Sequence, residues 1–368
     1  MMRRRSLALL FGAALVMASP LARAQDLPTY YPASYKETIA AAEKEGKLII
    51  YSATDAQAAS PLLKDFGKLY PKISVEYNDL NSTELYNRLI SEIAAGAGSG
   101  DLAWSSAIDL QIKLIQDGYG QAYTSPEKEK IPSWANYKDL AYGSTFEPIV
   151  FVYNKRLLPA DQVPKNHKAF ATYLNANAAA LKGKVTTYDP ERSGTGFVYV
   201  TQDDRNDPAF WDLVKALGRV DVKLYTSTGT MLERIGSGEH TLGFNMIGSY
   251  AVNRMRKDPS IAIQYPEDYI TVVSRAMFIP KGARNPNAAK LFIDYILSHR
   301  GQKIIADQSG LYSMRQDVDG SYTAQALTKT YGEKLKPIPL NDDVTAYLDQ
   351  QKRLGFLKSW RDNLQAGK

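Results

Sequence analysis

Apolar residues in this chain come in short runs, separated by segments with helical spacing. Lys47–Tyr51, Ile73–Tyr77 and Leu102–Trp104 are the length and character of strands covered on both faces. Between and around them, Tyr35–Glu45, Pro61–Tyr70, Thr83–Ala95 and Ile108–Gln116 repeat apolar residues at helical intervals, and Gly46 stops the first of these helices. Short strands alternating with helices predict a parallel sheet with helices on both faces. Residues 120–145, rich in Tyr, Pro and Ser, read as irregular. The β-branched and aromatic run Pro148–Tyr153 then restarts the pattern. Strands follow at Lys184–Tyr188, Val222–Tyr225, Thr241–Phe244 and Ile261–Gln264, interleaved with helices near Lys168–Asn175, Phe197–Gln202, Ala209–Leu217, Met231–Ser237 and Ser249–Arg256. Ile270–Ile279 reads as one long strand crossing back. The last quarter reads as helical, over Ala288–Leu297, Gln302–Asp307, Val344–Leu354 and Phe356–Leu364. The expected organisation is two α/β lobes: a discontinuous first lobe from 25–147 and 271–368, and a second from 148–270.

The start of the chain has a different character. Arg3–Arg5 precede a 12-residue apolar run, Leu7–Ala18, and Ala22-Arg23-Ala24 has the small-x-small form of a cleavage site. The run is too short to span a bilayer, which takes about 20 residues. Residues 1–24 therefore read as a signal peptide, and no Cys follows to carry a lipid. The expected location is the periplasm, as an exported soluble chain.

The candidate chemistry lies at strand ends. Ser52 and Thr54 follow the first strand, and Ser105 and Ser106 follow Leu102–Trp104. Ser193, Gly194 and Thr195 follow Lys184–Tyr188, and Ser227, Thr228 and Gly229 follow Val222–Tyr225. Ligands of open α/β sheets sit beyond the carboxyl ends of the strands. Helix openings there offer unpaired N–H groups and a partial positive charge. Ser193-Gly194-Thr195-Gly196 adds hydroxyls and glycines that let an anion come close. The plainer role of each hydroxyl is helix capping. Thr230 with Glu233 fits a capping box, which leaves Ser227 and Thr228 as the better ligand contacts. Asn245 and Tyr250, after Thr241–Phe244, complete the candidate set.

Composition narrows the classes. The formal net charge is +6, but Arg3, Arg4, Arg5 and Arg23 lie in the leader, so the remainder is near +2 and has no nucleic-acid-binding patch. There is no Cys, and His167, His240 and His299 are scattered, so no metal site and no cofactor is expected. No Gly-x-Ser-x-Gly elbow or His-Glu-x-x-His is present, so the chain is not expected to be an enzyme. Gly96–Gly100 follows a helix and precedes a strand, the reverse of a phosphate-cradling order, and reads as a connection.

Taken in order, Leu102–Ser106, Val150–Asn154, Asp189-Pro190 with Ser193–Gly196, and Gly310 with Arg315–Val318 resemble the periplasmic solute-binding proteins of ABC transporters. The similarity is to the type II group that binds ferric ion, hexose phosphates or phosphonates. The resemblance implies a two-lobed fold with two hinge-crossing strands, closure over a solute, a monomer, and a permease partner in the inner membrane. The Ser-Gly-Thr-Gly opening resembles the phosphate-gripping loop of the phosphonate and sugar-phosphate branch, which implies a small phosphorylated or phosphonylated organic anion. The iron-binding members carry adjacent tyrosines where this chain has Gly248-Ser249-Tyr250, and often a His near Ser52-Ala53-Thr54. A ferric-ion binder is the alternative reading, and an exported hydrolase the more distant one.

Overall fold

The computed structural model describes residues 27–368, so the expected signal peptide lies outside the described residues. Residues 27–31 form a unit of their own, closed by the Tyr31 N–H to the Pro28 carbonyl at 3.0 Å. From Pro32 onward the chain is a second compact unit, built on two seven-stranded sheets.

In the first sheet, Ser74–Asp79, Lys47–Ser52 and Leu102–Ser105 run parallel, and Ala276–Pro280 joins antiparallel to the last. Ala141–Gly143 and Asn136–Tyr137 extend it, so residues 120–145 are less irregular than their composition suggests. The second sheet is ordered Leu335–Pro337, Ile270–Val273, Glu147–Asn154, Leu242–Ile247, Val185–Tyr188 and Lys223–Tyr225. Glu147–Asn154 and Leu242–Ile247 are buried along their whole length, as expected of strands covered on both faces.

Two passages join the sheets. The chain leaves the first sheet at Gly143 and enters the second at Glu147; it leaves the second at Val273 and re-enters the first at Ala276. The long strand expected over 270–279 is thus two strands, divided at Ser274-Arg275. The connectors hydrogen-bond to each other. The Ser144 N–H donates to the Arg275 carbonyl at 2.9 Å, and the Arg275 N–H to the Thr145 hydroxyl at 3.1 Å. Paired short connectors are the geometry of a hinge between two lobes.

The rest of the chain departs from the expected division. Residues 271–368 were assigned to the first lobe, but Ile270–Val273 and Leu335–Pro337 lie in the second sheet. The two terminal helices read from sequence are one helix, Gln350–Gly367, and it packs on Phe210–Arg219 of the second lobe. Trp360, 1% exposed, stacks on Phe210 at 6.4 Å between centroids, and Phe356 meets Trp211 at 5.3 Å. An aromatic stripe on the last helix thus finds its match on a helix about 150 positions earlier, a pairing that hydrophobic spacing alone does not encode. A methyl group at Gly218 would sit 2.0 Å from the Leu364 carbonyl oxygen, so the two backbones touch there.

Candidate functional site

The carboxyl ends of the strands face each other between the lobes, and the lobes meet there by direct hydrogen bonds. The Ser106 and Thr195 hydroxyls are 3.0 Å apart. The Thr195 N–H donates to the Ser82 hydroxyl at 3.3 Å, and the Thr83 hydroxyl donates to the Arg192 carbonyl at 3.3 Å. The Asp55 N–H donates to the Tyr250 phenol oxygen at 3.0 Å. These four contacts describe a closed cleft. It retains a cavity of ≈190 Å³, whose wall includes Asp55, Ser82, Ser106, Thr195, Thr228 and Tyr250.

Of the twelve residues singled out from sequence, Ser106, Thr195, Ser227, Thr228 and Tyr250 line this cavity. The others are near it and otherwise engaged. The Ser52 hydroxyl donates to the Trp104 carbonyl and accepts from the Thr54 N–H, both at 3.0 Å. The Ser105 hydroxyl accepts from the Ala107 N–H at 3.1 Å, at the start of the helix Ile108–Gln116. Ser193 caps the helix Gly194–Asn206 by accepting from the Gly196 N–H at 3.1 Å. Gly194 packs against Leu110, Ala107 and Ser82 of the opposite lobe. Gly229 lines a neighbouring cavity of ≈390 Å³, which shares Asp55 and Tyr250 with the first. Asn245 does not line either cavity. A register shift between Gly243 and Met246 turns it away, at φ +54°, and its amide donates to the buried Asp203 carboxylate.

The capping box expected at Thr230 is not formed. The helix begins at Thr228, and Ser227 is its cap, accepting from the Thr230 N–H at 3.4 Å. Ser227 thus has a capping role as well as a place on the wall. The Thr228 hydroxyl pairs with the Tyr188 phenol at 2.6 Å.

A further strand end was overlooked in the sequence. Ser74–Asp79 is followed by Leu80, Asn81 and Ser82, and the helix Ser82–Ala94 opens there with Asn81 as its cap, accepting from the Glu84 N–H at 2.8 Å. Its strand–polar–helix pattern matches the four that were recognised. Asp55, Asp79 and Tyr188 also join the wall without having been singled out.

A family model of bacterial extracellular solute-binding proteins matches residues 61–330. The chain belongs to that family. A substrate-binding protein of an ABC transporter from Agrobacterium tumefaciens superposes with a TM-score of 0.83 at 36% identity, over 86% of this chain and 94% of that one. AfuA from Actinobacillus pleuropneumoniae, solved with fructose-6-phosphate, superposes with a TM-score of 0.71 at 20% identity over 87% and 99% of the two chains. The phosphoglycerate transport regulatory protein PgtC of Salmonella typhimurium is 27% identical over 156 residues, 42% of this chain and 38% of that protein. The fold is the two-lobed type II arrangement of periplasmic binding proteins.

In this solute-binding protein the hinge and the cleft are linked by one buried ion pair. Arg275, between the crossing strands, donates from Nε and Nη2 to the two Glu147 oxygens at 2.5 and 3.1 Å, and both side chains are fully buried. Its Nη1 reaches on to the Thr54 hydroxyl at 3.1 Å and the Ala53 carbonyl at 3.3 Å. The Thr145 hydroxyl donates to Glu147 at 2.9 Å, and the Ser249 hydroxyl donates to it as well. Burial alone would weaken proton binding by Arg275, but the Glu147 charge reverses that and holds the guanidinium well above its ordinary value.

The wall groups shift through burial. Desolvation raises the Asp55 carboxyl, with Arg275 opposing and Asp79 reinforcing the shift. Burial pushes the Tyr188 phenol up to about 12 and holds the Tyr250 phenol well above its ordinary value. Both tyrosines are therefore neutral hydrogen-bonding groups at ordinary pH. Among the described residues no cluster of three or more His, Cys, Asp or Glu side chains is placed to hold a metal ion.

Proposed function

We propose that this protein is the periplasmic receptor of an ABC importer, and that its solute is a small phosphorylated or phosphonylated organic molecule held between the lobes and delivered to a membrane permease. The observation that carries the reading is the meeting of Ser82, Ser106 and Thr195 at a helix opening on the wall of one cavity. Hydroxyls and N–H groups at a helix N-terminus suit a tetrahedral oxyanion. Three or four charge-assisted hydrogen bonds of about 1.5–3 kcal/mol each are enough for micromolar binding, near −8 kcal/mol. The fructose-6-phosphate bound to AfuA and the phosphoglycerate in the name of PgtC fit the same class of solute. The single tyrosine of Gly248-Ser249-Tyr250, where the iron-binding members carry an adjacent pair, favours this reading over a ferric site, which calls for phenolate and carboxylate oxygens.

Thermal unfolding with a panel of solutes tests it. A sugar phosphate or 2-aminoethylphosphonate should stabilise the protein by about 2.7 kcal/mol at a hundred times its Kd. Stabilisation by carboxylates alone, or by ferric citrate with a visible phenolate-to-iron band, would overturn the proposal.

A further inference from the structure

The cavity proposed for an oxyanion carries the wrong charge for a simple anion. Its wall holds two carboxylates, Asp55 and Asp79, and no Lys, Arg or His. Asp79 is at the exposed rim, where its carboxylate accepts from the Ala56 N–H at 2.8 Å. Asp55 is deeper and half-buried. It precedes the helix Ala56–Leu69, yet its side chain makes no capping bond to it. Among the described residues no cation forms an ion pair with either carboxylate. Arg275, whose charge partly offsets that of Asp55, is already held by both oxygens of Glu147, and Arg254, Arg256 and Lys257 line the neighbouring cavity instead.

Asp55 also reaches the opposite lobe. Its N–H donates to Tyr250, and one of its carboxylate oxygens lies 3.8 Å from the place a Cβ at Gly229 would take. A group bound to this carboxylate is therefore touched from both sides of the cleft. The wall divides into two hydrogen-bonded sets. Ser82, Ser106 and Thr195 supply donors, while Asp55 and its neighbour Tyr250 supply a carboxylate without an ion-pair partner beside a phenol.

Resting on the proposed phosphate or phosphonate reading, we infer that the solute is a zwitterion whose protonated amine is bound by Asp55 while its phosphoryl oxygens face Thr195, Ser106 and Ser82. A half-buried carboxylate that lacks an ion-pair partner opposes a dianion brought into the same cavity, and an ammonium group on the solute removes that opposition. Burial raises the Asp55 pKa against the opposing charge of Arg275, and a bound amine would lower it again. The cavity of ≈190 Å³ suits a phosphoryl group carrying a short aminoalkyl chain rather than a large polyanion.

Calorimetric titration with three probes of one shape tests this: 2-aminoethylphosphonate, 2-hydroxyethylphosphonate and ethylphosphonate. For the parent protein the amine should bind at least tenfold more tightly than the other two. Asp55→Asn, which keeps the shape and removes the charge, should collapse that ratio to within about threefold, by weakening the amine and sparing or improving ethylphosphonate. Equal affinity of all three for the parent protein would overturn the inference and leave the phosphonate reading standing. So would an amine preference that persists in Asp55→Asn. If the hydroxyl compound matches the amine, Asp55 reads a neutral donor and the inference again fails. If none of the three binds but aminoethyl carboxylates do, the phosphonate reading falls, and this inference with it.

Discussion

Arg275→Gln should lower the unfolding free energy by about 3–5 kcal/mol, the cost of stranding one partner of a buried ion pair. The reason is the carboxylate left behind. Glu147 is fully buried at the entry to the second sheet, and its bonds from Thr145 and Ser249 are to neutral hydroxyls. Without the guanidinium its charge has no partner, and the bond from Arg275 to the Thr54 loop is lost too. Removing both charges, as Glu147→Gln with Arg275→Met, should recover much of the loss, because a buried pair replaced whole leaves no stranded charge. Denaturant unfolding of the single and double variants measures both. A loss below about 1 kcal/mol in the single variant is what an exposed pair would give, and would mean the hinge pair is solvated.

The second large effect is on binding rather than stability. Gly194→Val should weaken binding of 2-aminoethylphosphonate by at least about tenfold, equivalent to about 1.4 kcal/mol. It should also leave the melting temperature of the unliganded protein nearly unchanged. A Cβ at position 194 would stand 2.6 Å from the Leu110 Cδ1 and 3.2 Å from both the Ala107 Cβ and the Ser82 hydroxyl. All three neighbours belong to the first lobe, whereas Gly194 opens a helix of the second. The end of the Leu110 side chain can move aside for one methyl group, but a branched side chain also meets Ala107. The variant should fold normally and fail to close. Unchanged affinity would show that the closed contact at Gly194 is not needed to hold the solute.

Both predictions rest on features unequally legible in the sequence. The strand–helix alternation was legible because each strand is covered on both faces and so appears as an unbroken apolar run. The division of Ile270–Ile279 at Ser274-Arg275 was hidden, because the run continues apolar through the hinge on both sides. Nothing in the sequence around Arg275 marks it as buried; only the return of Glu147 from a crossing strand 128 positions away makes it a buried partner. At the site, the Ser-Gly-Thr opening marked the right place, and Thr195 and Ser106 do line the cavity. Sequence could not divide capping hydroxyls from those that meet across the cleft, since Ser193 and Thr195 have the same chemistry, yet Ser193 accepts from the Gly196 N–H while Thr195 meets Ser106. Asp55 and Asp79 lie outside the pattern of hydroxyl and N–H donors that marks the strand ends. A carboxylate at a strand end has an ordinary role as a helix cap, and only the absence of that bond at Asp55 separates it.

In the proposed complex the solute lies between the lobes with its phosphoryl group at the opening of the helix Gly194–Asn206. A crystal structure of the protein carrying the solute retained through gentle purification tests it most directly. The account predicts tetrahedral density within hydrogen-bonding distance of Thr195, Ser106 and Ser82. A solute seated instead in the neighbouring cavity beside Arg254 and Lys257, with those three hydroxyls still bonded to one another, would contradict it.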